Sequence, residues 1–296
     1  MNSANSRWPK FTGLNWELHL SQLDDIRSTL RPANQFMAFA SDDLDLNQVP
    51  EELDVAQFHQ LEDQKQLGSC RAHSRTSLAE WVHFLQSGEL FSGKTIQFSR
   101  QFAYNEIRNI DGIRGDQGCT MRGGIKFDET IGHCLEEHFP YSGRDQRRSP
   151  QVCFDYAEFQ LKTNLIVESY DEAWRIKAGR IGDIEIGMIW PDCMQQQRVI
   201  EEFYIGGRGA GRHAGGHAVA ILGWSKRQDP RGRRYFKIQN SWNKRNWENS
   251  IDGIKELSPK AFEQILRHPH TVCIGSSHLS NTEPQSWDFI NNPIFT

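Results

Sequence analysis

The strongest constraint on this chain is the distance between the residues that must meet for it to do chemistry. The run Asp63-Gln64-Lys65-Gln66-Leu67-Gly68-Ser69-Cys70 ends in a thiol, and what a reactive thiol needs stands far downstream, in Gly215-Gly216-His217-Ala218-Val219 and Ile238-Gln239-Asn240-Ser241-Trp242. Thiol, imidazole and amide make a nucleophile, a general base and a group that orients the base, with Gln64 as a side-chain donor near the thiol. His217 lies 147 positions after Cys70 and Asn240 another 23. The chain has to fold back along most of its length for the three to act as one.

Periodicity divides the chain into a helical first half and a strand-rich second half. A helix is expected from Cys70, with Leu78, Trp81, Val82 and Leu85 on one face and Gly88 as its stop. It puts the thiol at a helix N-terminus, where partial positive charge favours thiolate. Further helices are read at Ser99 to Ile107, with Ser99 as cap, and at Arg122 to Glu136, with Phe127, Ile131, Cys134 and Leu135 on one stripe. Strands are expected at Thr163 to Tyr170, Gly182 to Trp190, His217 to Trp224 and Arg234 to Ser241. The last two join through the type I turn sequence Asp229-Pro230-Arg231-Gly232, and that hairpin sets His217 opposite a position near 244, within a few residues of Asn240. Ser258-Pro259 opens a helix through Leu266. Before all this, Leu20, Leu23, Ile26 and Leu30 suggest one amphipathic helix ahead of Pro32.

Taken together, Gln64, Cys70, His217 and Asn240 in this order resemble the papain-like cysteine peptidases, over roughly residues 50 to 260. The cysteine-to-histidine interval falls inside the family's window of about 130 to 150 residues. The form D-Q-x-x-L-G-S-C is similar to a bacterial and viral branch. The resemblance implies an α+β, two-lobe fold: a helical lobe and an antiparallel β-barrel-like lobe with the active site in the cleft between them. The corresponding division is an N-terminal extension at 1–48, the nucleophile lobe at 49–162, the lobe carrying histidine and asparagine at 163–267, and a tail at 268–296 that packs on the body. It also implies peptide hydrolysis through a thioester on Cys70, with His217 as base and Asn240 as its orienter. The Gln64 amide and the Cys70 N–H are the implied oxyanion donors. Gly68, Ser69, Gly216 and Trp242 are the implied substrate contacts, Trp242 also shielding the histidine. No metal or cofactor is implied, and the partner is a peptide or protein substrate.

Several positions depart from the family pattern. Leu67 replaces a cysteine that normally forms a disulfide, and Arg71 replaces an aromatic. Arg71, His73, Ser74 and Arg75 make the first helical turn unusually polar, and Arg71 has four readings: it lowers the thiol pKa further, contacts an acidic substrate residue, faces solvent or pairs with an acid. After the orienter, Asn243 and Glu248 replace glycines, and Gly123-Gly124 comes late for a substrate-binding glycine pair. Two other classes fit such departures: a non-catalytic binding module of the same fold, and a transpeptidase or acyltransferase using the same thioester.

A formal charge of −4 gives no electrostatic reason to expect nucleic acid or an anionic membrane, and the first residues lack an apolar signal core. Six cysteines, one of them the nucleophile, cannot all pair, so reduced thiols and a cytoplasmic setting are expected. Gly206 to Gly211 resembles a phosphate cradle but lacks the strand-to-helix context and the lysine, so a loop is the reading. His213-x-x-x-His217 has zinc-like spacing, yet its glycines disfavour a helix. Trp8, Phe11, Leu14, Trp16, Leu18 and Leu20 make the extension too apolar for a loose tail. It is expected to stay packed on the lobes as a permanent part of the fold, not as a cleaved inhibitory segment. An adjacent imidazolium and the helix N-terminus are expected to lower the Cys70 thiol to about 3.5 to 4.

Overall fold

A computed structural model describes residues 13–33, 49–53, 58–90, 92–179, 182–204, 213–243, 247, 249–251 and 253–280. The readings made for Trp8, Phe11, Gly206 to Gly211, Glu248 and the segment 281–296 lie outside these residues.

The first apolar repeat folds as two short helices, α1 (Trp16–Ser21) and α2 (Leu23–Thr29), and not as the single one expected. Asn15 caps α1 by accepting from Leu18 N at 3.2 Å, and the backbone of Gln22 leaves the helical line between the two. Leu23, Ile26 and Leu30 are buried, and β1 (Arg31–Pro32) pairs in parallel with Leu165 and Ile166.

The nucleophile helix, α3 (Cys70–Ser87), ends where expected: Gly88 takes a left-handed φ of +70° and returns its N–H to Phe84 O. Its polar first turn is buried along with its apolar stripe, so α3 is an interior helix. α4 (Arg100–Asp111) is capped by Ser99, which accepts from Phe102 N at 3.1 Å. α5 (Met121–Thr130) stops short of the expected Glu136, because Gly132 at φ +96° turns the chain away. His133 and Leu135 then bridge to Phe159 and Phe98 in extended form. A short 3-10 turn (Glu136–His138) and α6 (Gln151–Asp155) complete this half.

The second half supplies β2 (Leu161–Ile166), α7 (Tyr170–Ala178), β3 (Asp183–Pro191), α8 (Asp192–Gln196), β4 (Val199–Ile200), β5 (His213–Gln228), β6 (Arg234–Gln239), β7 (Ile254–Leu257), α9 (Pro259–Arg267) and β8 (Val272–Leu279). β2 ends earlier than the apolar run suggests, since Ser169 caps α7 by accepting from Glu172 N at 3.2 Å. Among the described residues the strands form one sheet in the order β1-β2-β8-β3-β5-β6-β7-β4. All pairings are antiparallel except β1 with β2 and β4 with β7. The sheet is open, not barrel-like: its edges are two-residue strands, β1 and β4, and they do not pair with each other. Part of the expected tail, β8, is an inner strand between β2 and β3.

β5 and β6 form the anticipated hairpin, closed by Gly232 N donating to Asp229 O at 2.9 Å. Two bulges shift its register, so Ala220 faces Gln239. Residues of β5 alternate between two cores: Val219 and Ile221 pack with β3, α7 and α9, whereas Ala220, Leu222 and Trp224 pack against α3. Burial on both faces is why this strand reads as a continuous apolar run.

Candidate functional site

Cys70 is the first residue of α3 and is fully buried. The loop before it is fixed from several sides. Gly68 N donates to Asp116 Oδ1 at 2.8 Å. Tyr141 gives its single hydroxyl hydrogen to Gln64 O at 2.8 Å, so at the 2.6 Å contact between Ser69 Oγ and Tyr141 Oη the serine is the donor. The buried Gln64 side chain donates from Nε2 to Leu67 O at 2.8 Å and accepts at Oε1 from Ser241 Oγ at 2.7 Å. Gln64 N also donates to Ser241 O at 2.7 Å, which ties the nucleophile loop to the residue following Asn240.

His217 and Asn240 are brought together by the β5–β6 hairpin, with His217 Nε2 and Asn240 Oδ1 2.8 Å apart. An amide oxygen only accepts, so this contact assigns the hydrogen to Nε2 and leaves Nδ1 as the basic nitrogen. The imidazole is boxed by tryptophans: Trp242 at 4.4 Å between ring centroids and Trp190 at 5.1 Å, edge to face. Trp242 is only 3% exposed and lies against the imidazole, where it covers the ring from solvent. Asn243 keeps the backbone that a glycine would adopt, φ +36°, and its Nδ2 donates to Asp63 Oδ2 at 3.0 Å. Asparagine tolerates this region better than most residues, which accounts for the missing glycine.

The groove between the two halves is filled by the chain's own N-terminal segment. Leu14 N donates to Gly216 O at 3.1 Å on one wall. On the other, Asn15 N donates to Cys119 O at 2.9 Å and Cys119 N to Gly13 O at 3.1 Å. Leu14 pairs antiparallel to Gly216 and parallel to Cys119. Gly13, at φ +91°, lies so close to the nucleophile loop that a Cβ there would sit 2.5 Å from Gly68 C and 3.0 Å from Cys70 N. Gly118 is needed for the same reason, since its Cβ would fall 2.3 Å from Gly13 O. Leu14 shares one apolar cluster with Cys70, Met121 and Ala218. Of the implied substrate contacts, Gly68 and Gly216 border this segment directly.

This enclosure acts against the expected thiol acidity. Burial pushes the Cys70 thiol up to about 12, against the lowering effects of the Ala218 and Arg71 backbone N–H groups and the Arg71 charge. Arg71 itself is neither in solvent nor near it. It is buried and bridges Glu185 of β3 and the carbonyls of Thr120 and Met121. All six cysteines, Cys119 among them, are free thiols. Sequence reasoning missed Tyr141, Ser241, Trp190, Asp116 and Glu185. Ser241 stood inside the run Ile238 to Trp242 that the sequence singles out, but no role was read for it. His213 and His217 share β5, and among the described residues no group of three or more potential ligands could hold a metal ion. No helix among them is long and apolar enough to cross a membrane.

The family described as "Papain family cysteine protease" matches residues 49–254. Among solved structures, xylellain, a cysteine protease from Xylella fastidiosa, is similar in fold, with a TM-score of 0.60 at 22% identity over 77% of this chain and 86% of its own. The procathepsin B S9 of Trypanosoma congolense has a TM-score of 0.60 at 15% identity, covering 94% of this chain and 88% of that one. The proform of the ragweed pollen allergen Amb a 11, a cysteine protease, has a TM-score of 0.56 at 19% identity over 84% and 75%. No curated protein sequence matches.

Proposed function

Because the chain belongs to the papain family of cysteine proteases, we propose that it hydrolyses peptide bonds through a thioester on Cys70, with His217 as base and Asn240 as the group that orients it. The single observation that carries this is the His217–Asn240 pair, held at 2.8 Å by the hairpin whose strand β5 also meets Cys70 at Ala218. His217 Nδ1 takes the thiol proton, the sulfur adds to the peptide carbonyl, and the imidazolium returns the proton to the leaving amine as the C–N bond breaks. Water, deprotonated by His217, then cleaves the thioester. We assign the oxyanion to the Cys70 N–H and to the Gln64 side-chain amide, donors of a kind commonly worth about 2.7 to 4 kcal/mol.

The reading includes a latent state. With Gly13, Leu14 and Asn15 bonded to both walls of the groove, a peptide cannot reach the thiol until that segment leaves. The extension is therefore proposed as an inhibitory strap, in place of the permanent structural role expected from its composition. The division at 1–48, 49–162, 163–267 and 268–296, membership of the bacterial and viral branch and a cytoplasmic setting are kept as proposals. Leu67 and the six unpaired thiols support the last two. The test is labelling with an epoxide inhibitor of papain-like enzymes, followed by peptide mapping, beside cleavage of an unfolded protein substrate. Label on Cys70, with cleavage lost in Cys70→Ala and His217→Ala, is expected; cleavage that survives Cys70→Ala would end the assignment.

A further inference from the structure

The polar first turn of α3, which begins at the thiol, builds an interior ion network. Arg71 Nη1 meets Glu185 Oε2, Nη2 donates to Met121 O at 2.9 Å and Nε to Thr120 O at 3.4 Å, and both charged side chains are fully buried. The guanidinium packs against Gly124: a Cβ there would come within 2.3 Å of Nη2 and 2.5 Å of Cζ. The late Gly123-Gly124 pair thus has a use, Gly124 making room for Arg71 and Gly123 for Asp111, which accepts from Thr120 N and Thr120 Oγ1, each at 2.7 Å. Glu185 is held further by Ser74 Oγ at 3.3 Å and Arg75 Nη1 at 2.9 Å.

Three elements that must keep fixed relative positions converge on this one side chain. α3 carries the thiol, residues 119–121 form the groove wall that binds Gly13 and Asn15, and β3 pairs with β5 beside His217. We propose that Arg71 is a positioning residue for the cysteine chemistry: its fork locks the groove wall to the nucleophile helix, and its buried charge, balanced by Glu185, sets the reactivity of the adjacent Cys70 thiol. The inference rests on Cys70 being the nucleophile.

Other charges surround the guanidinium: Arg75, Asp128 and Asp111, with Cys119 nearby. Burial and Arg75 pull Arg71 down to about 9, which still leaves it protonated at neutral pH. Below a thiol's pKa, its alkylation rate follows the thiolate fraction, so one unit of pKa is about a tenfold change in rate. An ion pair lets the sign of the effect be tested from both ends.

The experiment is iodoacetamide alkylation at pH 8 of the full chain carrying Gly13→Val, which takes the segment out of the groove in every variant alike, with the rate at Cys70 read by peptide mapping and that at the buried Cys273 as a control for loosening of the fold. Arg71→Met should slow Cys70 about tenfold or more, and Glu185→Gln, which leaves the positive charge unbalanced, should speed it by a similar factor. Arg71→Lys keeps the charge and loses the fork. It should hold the Cys70 rate within about threefold while raising KM for a peptide substrate more than it lowers kcat. Should Arg71→Met fail to fold, Glu185→Gln and Arg71→Lys still decide the matter. Shifts of the same sign in Arg71→Met and Glu185→Gln, Cys273 rising in step with Cys70, or no response to Glu185→Gln would each overturn the proposal. Because alkylation needs no peptide cleavage, a chain that cuts nothing would refute the peptidase reading and leave this measurement intact.

Discussion

On the proposed mechanism Asn240 and Gln64 contribute single hydrogen bonds, so their removal should be graded where the loss of Cys70 or His217 is absolute. Asn240→Ala removes the acceptor that fixes His217 Nε2 but leaves the tryptophan box in place. It should lower kcat/KM by about 100-fold without abolishing cleavage, as steady-state kinetics would show. Wild-type activity in that variant would remove Asn240 from the mechanism. Nearby, Asn243→Val forces a β-branched residue into φ +36° and cuts the bond to Asp63. It should cost about 1 to 2 kcal/mol in denaturant unfolding, while Asn243→Gly should be nearly neutral. The start of α3 at Cys70 and the approach of His217 to Asn240 were legible in the sequence, the first from periodicity and the second from the hairpin turn between them. Arg71 was visible as an oddity, but its partner was not. Glu185 lies 114 positions away, and the pairing arises only when β3 takes its place in the sheet.

At the scale of elements, the docked strap contains its own acid sensitivity. His19 on α1 is fully buried beside Trp16, 5.2 Å away, and burial is the main cause that lowers it from 6.5 to about 4. A backbone contact with His270 opposes this, while Arg71, Arg27 and the His270 ring add to it. Docked, the histidine stays neutral; released, it titrates near 6.5. Docking is therefore at full strength above pH 6.5 and weakens as pH falls toward 4, by about 2 kcal/mol at pH 5. Initial rates of the full chain should rise from pH 7 to pH 5, and His19→Phe should flatten that rise. His59 and His73, held at about 3 by burial, are lost with the fold itself and set the acid limit in both proteins. Gly13→Val should unseat the strap at neutral pH, through clash with Gly68 and a forbidden φ, and raise activity about tenfold or more. Local patterning found the extension's apolar residues, α3, α4 and the hairpin. It misjudged α5, where Gly132 outweighs the apolar stripe, and did not register β8, whose role depends on neighbours distant in sequence.

Across the whole molecule, Arg75 is the common point of the buried network. It reaches Glu185 on β3, Asp128 on α5, Ser276 on β8 and Asn164 on β2. Arg75→Leu leaves buried Glu185 to Arg71 and buried Asp128 to His133 alone, and should cost about 3 to 5 kcal/mol in chemical denaturation, more than any single surface change. The same molecule reaches its stability without covalent staples, so all six thiols should titrate under denaturing, non-reducing conditions. The strap is joined to the body through residues 34–48, and that attachment makes it a tethered competitor. A segment held by a short connection acts as if present at about millimolar concentration, so even weak contacts keep the groove filled. Cutting the chain between residues 33 and 49 would not by itself unlock the thiol. It would convert a first-order equilibrium into a bimolecular one, and activity would then appear on dilution and fade again as the cut protein is concentrated.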